Sequence, residues 1–279
     1  VVLIKNILVP LDGSEFSESA MECAFHLAKK FGASVSAMHV VDSVALEGSF
    51  LHDVSGSMGF EPFMDFSTRM KTYLDENGKA ILKAFSERAE KAGIKSHTTL
   101  AFGVVASEIC DAAAHADLVI IGRRGGNAAF EYALMGSVAE TVVRKSPKPV
   151  LIVPGAFKAP KTLLLAYDGS AGAGKAMHSA AEFAKTLGLG LTVLTVAPAG
   201  RGESLISDAG EYLLSYDIKP EFAHIDGDPH LDIVRYCADK KVDMVFMGAF
   251  HHSRVVELVL GSTTEYVMRK IDALFFLEK

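Results

Sequence analysis

The sequence predicts an α/β protein built from two tandem doubly wound parallel sheets with flanking helices, Rossmann-like in layout. Three observations predict it. Short apolar runs alternate with segments of helical period, the pattern of strands joined by crossover helices. The whole series occurs twice, so duplication organises the chain. Apolar runs also end in glycine turns that lead into helices, where unpaired backbone N–H groups collect.

The first copy opens with the strand Ile7-Leu-Val-Pro-Leu and the turn Asp12-Gly-Ser14; the second opens with Leu163-Leu-Leu-Ala-Tyr and Asp168-Gly-Ser170. The serine in each turn is also a suitable N-cap for the helix that follows. Those helices carry Ala24-Phe-His-Leu-Ala-Lys-Lys-Phe and Ala181-Glu-Phe-Ala-Lys-Thr-Leu, and Gly32 and Gly188 end them. Strands at Ser34–Val41 and Leu191–Val196 come next. Between Val41 and about Asn77 the first copy carries an insertion, centred on residues 45–75, with glycine, phenylalanine and methionine but no clear period. A lid, a contact surface and a linker are all compatible with it. The second copy crosses the same gap with one helical run near Glu203–Tyr216. Gly103 and Gly227 each open a further helix, and the runs Asp117-Leu-Val-Ile-Ile and Asp243-Met-Val-Phe-Met read as buried strands. A glycine turn, a helix and an apolar strand close each copy, at Val150–Val153 and Leu274–Leu277.

Length and composition fit this plan. The 279 residues match two domains of roughly 100–200 residues, expected at 1–155 and 161–279 with a hinge at Pro154–Pro160. The 49% apolar content supplies two cores, and the net charge of −6 argues against a basic nucleic-acid groove. No apolar run approaches the ~20 residues of a membrane span, and the first residues read as a strand, not a leader. Cys23, Cys110 and Cys237 have no CxxC spacing, as expected in a reducing compartment. These features together predict a cytoplasmic protein.

The glycine turns carry the chemistry. In the second copy Gly248, two residues, His251, nine residues and Gly261-Ser262-Thr263 follow a strand. In the first, Gly122 is followed after two residues by Gly125 and after three by Gly126, and nine more lead from there to Gly136-Ser137-Val138. With Asp12 and Asp168 at the first strand ends, this pattern resembles the universal stress protein family in its tandem form, over nearly the whole chain except the insertion. The resemblance implies two five-stranded parallel sheets, similar to adenine nucleotide alpha-hydrolases, and an ATP or AMP cofactor, with Mg accompanying ATP. On that basis Asp12 and Asp168 hold ribose hydroxyls. The backbone at Val41 (or equally Val40) and Val196 meets adenine, and Gly122, Gly125, Gly126, Gly136, Ser137, Val138, Gly248, Gly261, Ser262 and Thr263 surround the phosphates. Arg123 and Arg124 either lend charge to the phosphates or lie solvated on the surface. His251, in place of the second glycine, either obstructs phosphate or attracts it when protonated. Pro10 and Leu11 of the first pocket are replaced by Ala166 and Tyr167 in the second.

Competing readings are weaker. Gly169-Ser-Ala-Gly-Ala-Gly174-Lys175-Ala176 resembles a phosphate-binding P-loop, but Ala176 stands where the loop needs a hydroxyl for Mg²⁺. The histidines, His224, His230, His251 and His252 among them, have no HxxxH spacing, so no metal site is expected. Met58, Met64 and Met70 suit an adaptable packing surface. No nucleophile–base arrangement is legible, and the resemblance implies slow ATP hydrolysis at most. The expected function is therefore an adenine-nucleotide-binding stress-response regulator, and the alternative is a scaffold with degenerate sites. The apolar closing strands are expected to pair the two halves as an intrachain pseudo-dimer, to which a second copy of the chain could add.

Overall fold

The computed structural model describes residues 4–42, 63–126, 135–249 and 260–278. The first half runs β1 (Asn6–Pro10), α1 (Glu15–Phe31), β2 (Ser34–Asp42), α2 (Phe63–Lys91), β3 (Ser96–Gly103), α3 (Val105–Ala113), β4 (Leu118–Gly122), α4 (Ser137–Lys145) and β5 (Val150–Val153). The second runs β6 (Leu163–Ala166), α5 (Ala171–Leu187), β7 (Leu191–Val196), α6 (Arg201–Leu213), β8 (Glu221–Ile225), α7 (Pro229–Lys240), β9 (Met244–Gly248), α8 (Ser262–Lys270) and β10 (Leu274–Glu278).

The strands line up in one sheet, in the order β3-β2-β1-β4-β5-β10-β9-β6-β7-β8. Within each half all pairings are parallel, as crossover helices require. The two five-stranded sheets of the sequence reading are thus present, and they are continuous. β5 and β10 pair antiparallel, with Phe276 opposite Leu151 and Leu277 opposite Val150. Because the seam is antiparallel, the carboxyl ends of the strands point to one rim in the first half and to the opposite rim in the second.

Helix boundaries follow local chemistry. Ser14 and Ser170 cap α1 and α5 by accepting from the N–H groups of Ser17 and Ala173, both at 3.2 Å, and Gly32 and Gly188 end these helices in the left-handed conformation. Gly174 and Lys175 therefore lie inside α5 and not in a phosphate-wrapping loop, which removes the P-loop reading. Asp117 and Asp243 brace the strand starts: each carboxylate accepts two backbone N–H groups, from Lys5 and Asn6 in one half and Lys161 and Thr162 in the other, at 2.8–3.0 Å.

Part of the insertion expected at about 45–75 is helical: residues from Phe63 onward belong to the 29-residue helix α2, whereas the helix at the same place in the second half, α6, has 13 residues. Among the described side chains of that helix α2 the buried apolar ones are Leu82, Phe85 and Ala89, in its second half. Residues 45–62, including Met58, lie outside the described residues.

Two cores cover the two faces of the sheet. One lies under α1, α2, α5 and α6, the other under α3, α4, α7 and α8. In the first, Phe183 joins the halves: its ring is 4.9 Å from Phe31 and 5.3 Å from both Phe246 and Phe276, centroid to centroid. Among the described residues no helix is long and apolar enough to cross a membrane. Phe183→Ala is expected to cost about 3–5 kcal/mol, since a fully buried ring leaves a cavity that a rigid sheet cannot close. Urea unfolding monitored by circular dichroism checks this, and a loss below about 1 kcal/mol would contradict the packing.

Candidate functional site

The strand order reverses direction between β1 and β4, and again between β6 and β9. In doubly wound sheets a crevice opens at such a point, outside the carboxyl ends of the strands. Each half has its cavity there, of about 170 Å³ in the first and about 320 Å³ in the second. By strand direction the two open on opposite rims of the sheet.

In the first cavity Asp12 lies just past the end of β1, separated from it by Leu11. One carboxylate oxygen accepts from the Ser14 amide at 2.9 Å and the Ser14 hydroxyl at 2.6 Å, and the other accepts from the Gly126 amide at 2.8 Å. Gly13 takes φ +80°, a turn that lets the carboxylate fold back over the start of α1. Partial burial works to raise the Asp12 pKa, but the hydrogen bonds from Ser14 and Gly126 favour the charged form and leave it below the ordinary aspartate value. Facing Asp12, α4 starts at Gly136, whose own N–H donates to the Arg123 carbonyl at 2.9 Å and which offers no side-chain cap. The first N–H groups of α4 therefore remain for an outside acceptor.

The glycines of this loop are set by contact. A Cβ on Gly122 would lie 2.7 Å from the Phe16 carbonyl oxygen, and one on Gly125 would lie 2.7 Å from the Asp12 carboxylate. Gly248 is equally constrained in the second half, where a Cβ would stand 2.8 Å from the Ala173 nitrogen.

The second cavity repeats the plan with a roomier wall. Asp168 follows β6, and one of its carboxylate oxygens accepts from the Ser170 amide at 2.9 Å. α8 starts at Gly261, again without a side-chain cap, and the Thr264 hydroxyl donates to the Gly248 carbonyl at 3.0 Å. Tyr167, Arg201 and Leu205 line this cavity, together with Val196, Gly248, Gly261 and Thr263. His251 lies outside the described residues.

Pro10, Asp12, Gly122, Gly125, Gly126, Gly136, Ser137 and Val138 of the sequence reading come together around the first cavity. Three expectations are corrected. Val41 does not line it; its side chain is buried, and Val40 lines the cavity instead. The repeat explains why: Leu11 N–H donates to Met38 O and Tyr167 N–H to Leu194 O, which makes Val40 the counterpart of Val196. Arg123 leaves the cavity altogether, its guanidinium donating to the Ile271 carbonyl at 3.1 Å in the other half, while Arg124 lines the cavity. Ser262 is exposed at the start of α8, and Thr263 and Thr264 form the wall. Missed by sequence reasoning were the apolar floors, Met38 with Ile109 and Leu194 with Ile233. Gly103 and Gly227 were their signal, since each places the first turns of α3 or α7 beneath the crevice.

Comparison with known proteins agrees with this architecture. The model of the "Universal stress protein family" matches residues 3–154 and 201–273. A universal stress protein of Synechocystis is 31% identical over 96% of this chain and 97% of its own length. The chain belongs to the universal stress protein family. A second family member, from Methanocaldococcus jannaschii, is 37% identical over 54% of the chain and 82% of its own length. The crystal structure of a universal stress protein from Archaeoglobus fulgidus shares the fold, with a TM-score of 0.79 at 23% identity and 98% coverage of both chains.

Chemically, each half sets a carboxylate able to accept hydrogen bonds opposite a helix N-terminus whose uncapped N–H groups carry partial positive charge. The Asp12 hydrogen bonds also have a consequence for stability. A pKa lower in the folded than in the unfolded chain contributes stability above about pH 4, and that contribution disappears as pH falls through the folded value. Asp12→Asn should therefore show a smaller drop in urea midpoint between pH 5 and pH 2.5 than the wild type; parallel curves would contradict the assignment.

Proposed function

We propose that this protein is an adenine-nucleotide-binding stress-response regulator that holds ATP or AMP in these cavities with little or no turnover. The observation that carries the reading is the pairing, in both cavities, of a strand-end aspartate with a helix that begins at an uncapped glycine. The aspartate suits two ribose hydroxyls, the helix N-terminus suits phosphate, and the strand end at Val40 or Val196 offers backbone groups to a base. Arg124 adds positive charge on the phosphate side of the first cavity, and Mg²⁺ would accompany ATP as its counter-ion.

Low turnover follows from the same residues. Among the described lining residues Asp12 and Asp168 are the carboxylates, and Asp12 is committed to amide and hydroxyl donors that make it a poor proton acceptor. The second cavity fills first in this reading: it is larger, and Asp168 has one oxygen without a donor among the described residues. The protein would act in the cytoplasm, with occupancy as its signal. Residue-level support for the scaffold alternative comes from the first cavity, where Gly126 already occupies Asp12, and from His251, which stands in place of the second glycine in the other loop.

Calorimetric titration with ATP and AMP, with and without Mg²⁺, tests this. Asp168→Ala is expected to weaken the tighter binding event by about tenfold or more, the loss of a charge-assisted hydrogen-bond acceptor, and Asp12→Ala to weaken the other event. No heat from wild-type protein at millimolar nucleotide would leave the scaffold reading in its place.

A further inference from the structure

Arg123 connects the two cavities in a way the duplication does not require. Its backbone belongs to the first: the N–H donates to Val153 O at 2.8 Å, and the carbonyl accepts from Gly136 N–H, which starts α4. Its side chain belongs to the second half. The guanidinium lies 11% exposed, donates to the Ile271 carbonyl at 3.1 Å and stands 4.0 Å from the Asp272 carboxylate. Ile271 is the C-cap of α8, and the other end of α8, Gly261 to Thr264, walls the second cavity. At about 1.5 Å per residue this nine-residue helix reaches across the sheet from one rim toward the other.

The connection runs one way. The β-ladder registers place Ala249 where the first half has Arg123, and the helix ends align Ser146-Pro147 with Ile271-Asp272. An alanine cannot reach across the seam, and a proline offers no carboxylate. Both partners of the strut are therefore residues in which the copies have diverged. The guanidinium is also incompletely satisfied, since its Nε is buried with no hydrogen-bond partner among the described residues.

A hydrogen bond that a ligand could replace sits at the first-cavity end of the strut. The Gly122–Gly126 turn is fastened to Asp12 through the Gly126 amide. A ligand that takes the Asp12 carboxylate releases that turn, and Arg123 is part of it. We propose that Arg123 couples the two cavities, so that occupation of the first changes affinity in the second by displacing α8 along its axis. This rests on the nucleotide-binding reading above and adds its regulation.

A thermodynamic cycle measures the coupling. ATP is titrated by calorimetry into wild type, Asp12→Ala, Arg123→Met and the double variant, and the affinity of the second cavity is followed. With Arg123 present, loss of Asp12 is expected to change that affinity about fivefold or more; in the Arg123→Met background the change should fall below about twofold. Should the methionine variant not fold, Arg123→Lys keeps the charge without the planar fork and is expected to give the same loss of coupling. Equal effects in both backgrounds, or none in either, would overturn the proposal while leaving nucleotide binding intact. Absence of ATP binding in every protein would remove both readings together.

Discussion

The pairing of β5 with β10 is the constraint on which the molecule depends. Each half ends in a strand that is apolar on both faces, Val150–Val153 and Leu274–Leu277, and each would be an open template for aggregation if its half stood alone. Pairing these edges satisfies their backbone groups and buries Phe275 and Phe276 completely or nearly so. It also fixes the geometry of everything else. The same antiparallel register that closes the edges sends the two cavities to opposite rims and brings α1 and α5 together over a shared aromatic core.

Much of this was legible in the sequence because glycine and aspartate answer to local rules. A turn at φ +80° after a strand, as at Gly13 and Gly169, and a glycine pressed against backbone, as at Gly122 and Gly248, tolerate few substitutes, so the duplicated motif survives in both copies. What was not legible depended on direction or distance. Nothing in Gly122-Arg-Arg-Gly125 tells which arginine turns inward, because that choice is made by Ile271, 148 residues away in the chain. The register of Val40 against Val41 was ambiguous because both are valines on a strand buried from both sides, where alternation disappears. The start of α2 was hidden because its apolar residues, Phe63, Met64, Phe66 and Met70, continue the phenylalanine- and methionine-rich composition of the segment before it.

The two copies have kept the frame and changed the walls. Where Phe16 presses its backbone on Gly122, Gly172 meets Gly248, and the second crevice has Tyr167 in place of Leu11. Burial and the nearby carboxylates of Asp208 and Asp168 raise the Tyr167 pKa above the ordinary tyrosine value. Duplicated folds commonly hold their topology while separate sites drift, since function resides in a few side chains grafted on the frame.

The hydrogen bond between Asp12 and Gly126 has one more implication. Any molecule whose hydroxyl needs that carboxylate competes with a donor tethered to the same chain, and a tethered donor is present at high effective concentration. The affinity such a molecule shows is its intrinsic affinity scaled by the fraction of chains in which the bond is open. The first crevice therefore has an adjustable threshold. A substitution that merely loosens the glycine turn would lower that threshold without touching any occupant.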